Sequence, residues 1–197
     1  MICTFSPSYS KKRERNAAGT RRGKGRRPII VRARPGRPTQ GILALGQRTF
    51  ACALGRAGIT SLKREGDGAT PRGPLRVLWG YFRPDRGPVP ANALQWRRTS
   101  PEQGWCDASG DRNYNRPVAL PYPASHEKMR REDHLYDIVI VLDWNMRPAA
   151  RNRGSAIFLH LARPGYLPTE GCIAVSRATM MRLLPCLRRG TPIRVAP

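Results

Sequence analysis

Tyr136-Asp-Ile-Val-Ile-Val-Leu142 and Ser155-Ala-Ile-Phe-Leu-His-Leu161 are the stretches that decide the fold of this 197-residue chain. The first is short and rich in β-branched residues, which predicts a buried strand rather than a helix. In the second, side chains of a strand alternate between faces, so His160 shares a face with Phe158 and Ala156. Outward from these, Gly41-Ile-Leu-Ala-Leu45 and Thr49-Phe-Ala-Cys-Ala-Leu54 flank Gly46-Gln47-Arg48 and read as a hairpin. Arg76-Val-Leu-Trp-Gly-Tyr81 is another strand, Ile29-Ile30-Val31 marks where structure begins, and Pro192-Ile-Arg-Val195 is a last short strand. The fold class is therefore mostly β.

One helix is expected. Ser176 can cap it, and Met180, Leu183, Leu184 and Leu187 fall on one face. Arg188 and Arg189 suit its C-terminal dipole and Gly190 its C′ position, whereas Pro185 predicts a kink or an early stop. Residues 83–133, with seven prolines, read as a long irregular insertion of the kind that forms a lid or binding surface.

The formal net charge is +23 and is uneven. Residues 1–37 hold 12 basic side chains against Glu14, a surplus of 11, and the rest of the chain holds the other 12. Residues 1–28 lack the apolar content to offset ordering entropy and read as a disordered basic tail, leaving residues 29–197 as one domain. Such a charge suits an anionic partner or simply a soluble surface. A basic nucleic-acid-binding protein with no catalysis is one reading, although no zinc-finger, helix-turn-helix or RNP-like pattern is present and no specific nucleic acid is expected. No apolar run is long enough for a membrane helix, and residues 11–28 contain no export signal.

Five cysteines are widely spaced, without a CxxC, and three histidines accompany them, so neither a metal nor another cofactor is expected. Cys52 and Cys186 read as packing residues, Cys106 as a loop thiol, and His134 as solvated. The chemical signal is His160 followed twelve residues later by Thr169-Glu170-Gly171-Cys172. A thiol is mostly protonated at neutrality and needs a base, which a neighbouring strand histidine can supply. Gly171 lets the backbone approach a substrate carbonyl, and the Cys172 N–H is a natural oxyanion donor. In papain-like and NlpC-like peptidases cysteine precedes histidine. Here every histidine precedes Cys172.

His160 with Thr169-x-Gly171-Cys172 resembles the catalytic signature of the L,D-transpeptidase family, the YkuD-type domain, in which a histidine is followed by Ser/Thr-His-Gly-Cys. Gly68-Ala-Thr70-Pro71-Arg-Gly73 resembles the family's Thr-Pro-x-Gly segment, and the likeness spans roughly residues 30–197. The resemblance implies a YkuD-like β-sandwich with one short helix after the catalytic cysteine. It implies a cysteine acyl-enzyme on peptidoglycan stem peptides, with Cys172 as nucleophile, His160 as base, Gly171 and Cys172 at the oxyanion site, and Thr169 shaping the loop. An amine acceptor gives a crosslink and water gives an L,D-carboxypeptidase. The implied location is the periplasm or cell envelope. Glu170 stands where the family has histidine, Ala174 stands at a commonly polar position, and the His-to-Cys interval is short. These departures, with segments such as Gly104-Trp-Cys-Asp107 and Leu135-Tyr-Asp137, resemble a divergent proteobacterial subgroup. They admit a crosslink at the L-Ala–diaminopimelate bond, or a noncatalytic wall-binding module. Further candidates for substrate contact are His126 and Glu127, as groups that orient amines, and Trp105, Tyr114 and Arg116, as groove residues. For each the alternative is ordinary solvation or packing.

Overall fold

The computed structural model describes residues 28–88 and 92–196, so the expected basic tail lies outside the described residues except for Pro28. Among the described residues, fourteen strands and one short α-helix follow in chain order. They are β1 (Ile29–Arg34), β2 (Arg37–Leu45), β3 (Arg48–Ala53), β4 (Ile59–Thr60), β5 (Thr70–Pro71), β6 (Gly73–Phe82), β7 (Trp96–Arg98), β8 (Gln103–Cys106), β9 (Arg116–Ala119), β10 (His126–Lys128), β11 (Ile138–Leu142), β12 (Phe158–Leu161), β13 (Ile173–Val175), α1 (Arg177–Leu183) and β14 (Pro192–Ala196). The mostly β expectation holds.

The main sheet runs β11-β12-β13-β3-β2-β1-β14-β6-β7. The long strand β6 closes it. Its residues 73–76 pair with β14, while residues 77–82 pair with β11. Alternation along β11 sends Ile138, Ile140 and Leu142 into the larger apolar core. That core also takes Leu159, Ile173, Met180 and Leu183. Val139 and Val141 point the other way, into a smaller cluster with Tyr81, Trp105, Tyr136, Phe158 and Cys172. The β-branched run is therefore buried on both sides, which is why its hydrophobic pattern is continuous rather than alternating.

Helix α1 has the expected cap, with Ser176 Oγ accepting from the Thr179 N–H at 3.1 Å. It stops at Leu183, earlier than the apolar pattern alone implies. Pro185 cannot donate to the ladder, and Leu184–Cys186 form a 3₁₀ turn. Arg188, Arg189 and Gly190 thus lie beyond the helix, in the turn before β14.

The long insertion is more ordered than its prolines suggest. It contributes β7 to the main sheet and builds a separate three-stranded sheet, β10-β8-β9. This small sheet covers the Phe158 face of the main sheet. Trp105 meets Phe158 edge-on, with ring centroids 5.0 Å apart.

Candidate active site

Strands β12 and β13 are parallel and in register, His160 opposite Ala174 and Leu159 opposite Ile173. Cys172 lies two residues before Ala174, so alternation puts Cys172, Ala174, Phe158 and His160 on one face. Cys172 and His160 are then diagonal neighbours on adjacent strands, about 4.8 Å across the sheet and two residues, about 6.6 Å, along it. Both line a cavity of about 650 Å³ together with Thr169 and Tyr136. The Tyr136 ring stands edge-on to the His160 ring, centroids 5.1 Å apart.

The two side chains are not hydrogen-bonded to each other. The thiol donates to the Ala156 carbonyl at 3.1 Å and accepts from the Phe158 N–H at 3.4 Å. His160 Nδ1 lies 2.8 Å from the Leu161 carbonyl, which can only accept. The ring proton therefore sits on Nδ1, and Nε2 keeps the basic lone pair. Burial pushes the Cys172 thiol up to about 12, with the Glu127 charge adding to it and the Phe158 N–H opposing. Burial pulls His160 down to about 4, with Arg131 and Arg163 adding and the Leu161 bond opposing. At neutral pH the pair is a neutral thiol beside a neutral imidazole.

The loop carrying the thiol is pinned from three directions. Thr169 N–H donates to the Leu54 carbonyl at 2.9 Å, and Arg56 N–H donates to the Thr169 carbonyl at 2.8 Å. Thr169 Oγ1 donates to the Cys172 carbonyl at 2.7 Å and accepts from the Gly171 N–H at 3.2 Å. Thr70 Oγ1 accepts from the Gly55 N–H at 2.8 Å and donates to the Cys172 carbonyl at 3.4 Å. The Thr-Pro-x-Gly segment seen in the sequence thus packs under the cysteine loop. Two glycines permit this contact. A Cβ on Gly171, which has φ +134°, would stand 2.9 Å from the Ala69 carbonyl oxygen, and one on Gly55 would stand 2.3 Å from the Gly68 carbonyl oxygen beneath. Glu170 points to solvent and pairs with Arg56 at 2.8 Å, both side chains being exposed.

His126 and Glu127 also line the cavity. The Tyr136 hydroxyl donates to Glu127 Oε1 at 2.7 Å, and Arg131 lies 3.6 Å from the same oxygen. Burial raises the Glu127 carboxyl above its usual range, against the pull of those two partners. The other three groove candidates are placed elsewhere. Trp105 is fully buried and packs the small sheet down, its Nε1–H donating to Asn115 Oδ1 at 3.0 Å. Tyr114 is buried with its hydroxyl on Glu65. Arg116 is exposed on β9 and does not line the cavity. Two cysteine expectations also change, because Cys106 is buried on β8 and Cys186 is exposed. His134 is exposed as expected, but its Nδ1 is 3.1 Å from Asp137, whose buried carboxylate also takes Arg86 and Arg177.

Sequence reasoning did not single out Asp107, Ser155 or Arg163, which line the same cavity. Asp107 follows β8 and Ser155 precedes β12, so only the docking of the small sheet brings them to one place.

Neither the curated proteins nor the solved structures yielded a match. The family model for the L,D-transpeptidase catalytic domain (YkuD) matches residues 37–195, from β2 to β14 and across every element that builds the cavity. The chain belongs to the YkuD family of L,D-transpeptidase catalytic domains.

Proposed function

We propose that this protein forms stem-peptide crosslinks in peptidoglycan through an acyl-enzyme on Cys172. The observation that carries the reading is the placement of Cys172 and His160 on one face of two hydrogen-bonded strands, opening on one cavity. Substrate entering the cavity draws the thiol from the Ala156 carbonyl. His160 Nε2 takes the thiol proton as sulfur attacks the carbonyl carbon of an L,D peptide bond. The leaving amine takes that proton from the imidazolium as the C–N bond breaks, and a thioester remains. An amine of a second stem then replaces the sulfur, and the product is a new amide. Because the Gly171 N–H is held by Thr169, the Cys172 N–H is the oxyanion donor in this scheme.

A low resting thiolate population fits a reaction in which proton transfer accompanies attack. The substrate lies in the cell envelope, which is where the protein acts in this reading. The finer alternative for the bond made is the L-Ala–diaminopimelate linkage, and product fragmentation decides it. The test is incubation with disaccharide tetrapeptides, followed by mass spectrometry, beside Cys172→Ala. Dimers from the wild type and none from the variant are expected. Identical profiles would remove the catalytic assignment and leave a wall-binding domain.

A further inference from the structure

The face of the small sheet that covers Cys172 carries charge as well as Trp105. Trp105 and Glu127 are in register between β8 and β10. The Asp107 N–H continues the ladder to the Ser125 carbonyl at 3.2 Å. Alternation then puts Trp105, Asp107 and Glu127 on one face, with Asp107 and Glu127 diagonal neighbours about 7–8 Å apart, and closer than that at Cβ. A small cationic group between them can contact both carboxylates.

An independent observation points the same way. Asp107 Oδ1 and Ser155 Oγ are buried side-chain atoms with no hydrogen-bond partner among the described residues. Ser155 is 7% exposed, and both residues line the cavity that holds Cys172. Buried polar atoms are normally paired with protein, ordered water or a bound group, so such atoms in a cavity wall are where a ligand can supply the partner. A carboxylate accepts and cannot donate, so the ligand group facing Asp107 is a donor. Two carboxylates and a hydroxyl suit a primary ammonium. Lys63 does not fill this role, because its ammonium is engaged by Asp67 and by the Arg64 carbonyl.

We propose that Asp107, Glu127 and Ser155 form an ammonium subsite that receives the acceptor amine opposite the Cys172 sulfur. This rests on the acyl-transfer reading above and deepens it. Glu127 accepts one proton from the bound ammonium, which frees the nitrogen lone pair. The nitrogen attacks the thioester carbonyl, the C–N bond forms and the C–S bond breaks. His160 relays the second proton from nitrogen to the leaving sulfur, and Glu127 returns its proton to solvent. The products are an amide, the Cys172 thiol and one proton. The subsite thereby favours an amine over water as acceptor.

Two measurements test this. In the first, Cys172→Ala protein is titrated by calorimetry with glycinamide and with glycolamide, which differ in ammonium against hydroxyl. Saturable binding of glycinamide alone is expected, weakened about tenfold by Asp107→Asn, the scale of one charged hydrogen bond. In the second, the intact protein is given tetrapeptide and glycinamide, and the ratio of glycinamide adduct to hydrolysed product is read by mass spectrometry. That ratio should fall about tenfold in Asp107→Asn and in Glu127→Gln. Ser155→Ala, a smaller change for the fold, should lower it in the same direction. Equal binding of the two amides, or an unchanged ratio in all three variants, overturns the subsite. If neither product forms while glycinamide binding still depends on Asp107, the subsite stands and the reaction assigned to Cys172 does not.

Discussion

The two walls of the cavity solve opposite problems. On the wall made by β12 and β13 the two candidate reacting groups are held by backbone, Cys172 by Ala156 and Phe158, and His160 Nδ1 by Leu161. The wall made by the small sheet is charged, and one buried oxygen there, Asp107 Oδ1, has no partner among the described residues; Ser155 Oγ, on the approach to β12, is likewise without one. The first wall suppresses charge on the reacting groups, and the second holds charge ready. In the proposed reaction the reactivity of the cysteine site does not reside at the cysteine alone: the overlying element supplies part of it once a substrate is between the two.

The sharpest way to break this comparison is to remove the base. His160→Gln should lower crosslinking by about 10²–10⁴-fold while leaving glycinamide binding to the other wall intact. Separating the walls comes next. Trp105→Ala removes the ring wedged against Phe158 and should cost about 3–5 kcal/mol in denaturant unfolding, because a buried aromatic leaves a cavity that cannot fully collapse.

The third prediction concerns pH. His160 has its ordinary value near 6.5 in the unfolded chain and about 4 in the folded one, so the unfolded state binds the proton first. The stability this group contributes is present above about pH 6.5 and is lost as pH falls through 4, by up to about 3 kcal/mol. His160→Gln should flatten that part of a stability-against-pH curve. For the thiol the sign is reversed. Cys172 is protonated until pH approaches about 12, so its iodoacetamide alkylation should keep rising beyond pH 10 without a plateau near 8.5. The smallest effect belongs to the exposed Arg56–Glu170 pair, which adjoins the nucleophile loop. Glu170→Gln should leave the melting temperature unchanged within error, because exposed ion pairs contribute little.

How far the sequence revealed these walls follows their chemistry. Strand β11 declares itself through four consecutive β-branched residues, Ile138-Val-Ile-Val141, and the helix through Ser176 and the spacing of Met180 and Leu183. Cys172 and His160 stand out through the resemblance of His160 and Thr169-x-Gly171-Cys172 to the family's signature, since a lone strand histidine or a lone cysteine reads as readily as packing. The opposite wall gives no such signal. Strand β10 is His126-Glu-Lys128, three polar residues among prolines, too short for alternation to be visible. Its partner β8 starts with Gln103 and Gly104. Whether Trp105 faces a groove or the core depends on the register between these strands, which no local pattern encodes. Long-range docking likewise decides that Asp107 and Ser155 line one cavity and that Cys106 is buried.

The support of the cysteine loop by Gly55 and Thr70 has a practical consequence. The Thr-x-Gly-Cys stretch is not a portable cassette. Grafted into another β-protein, it would lack the upstream backbone that orients the sulfur, and its geometry would relax. A designer wishing to transplant this chemistry must carry over two segments a hundred residues apart, together with the glycine at which they touch.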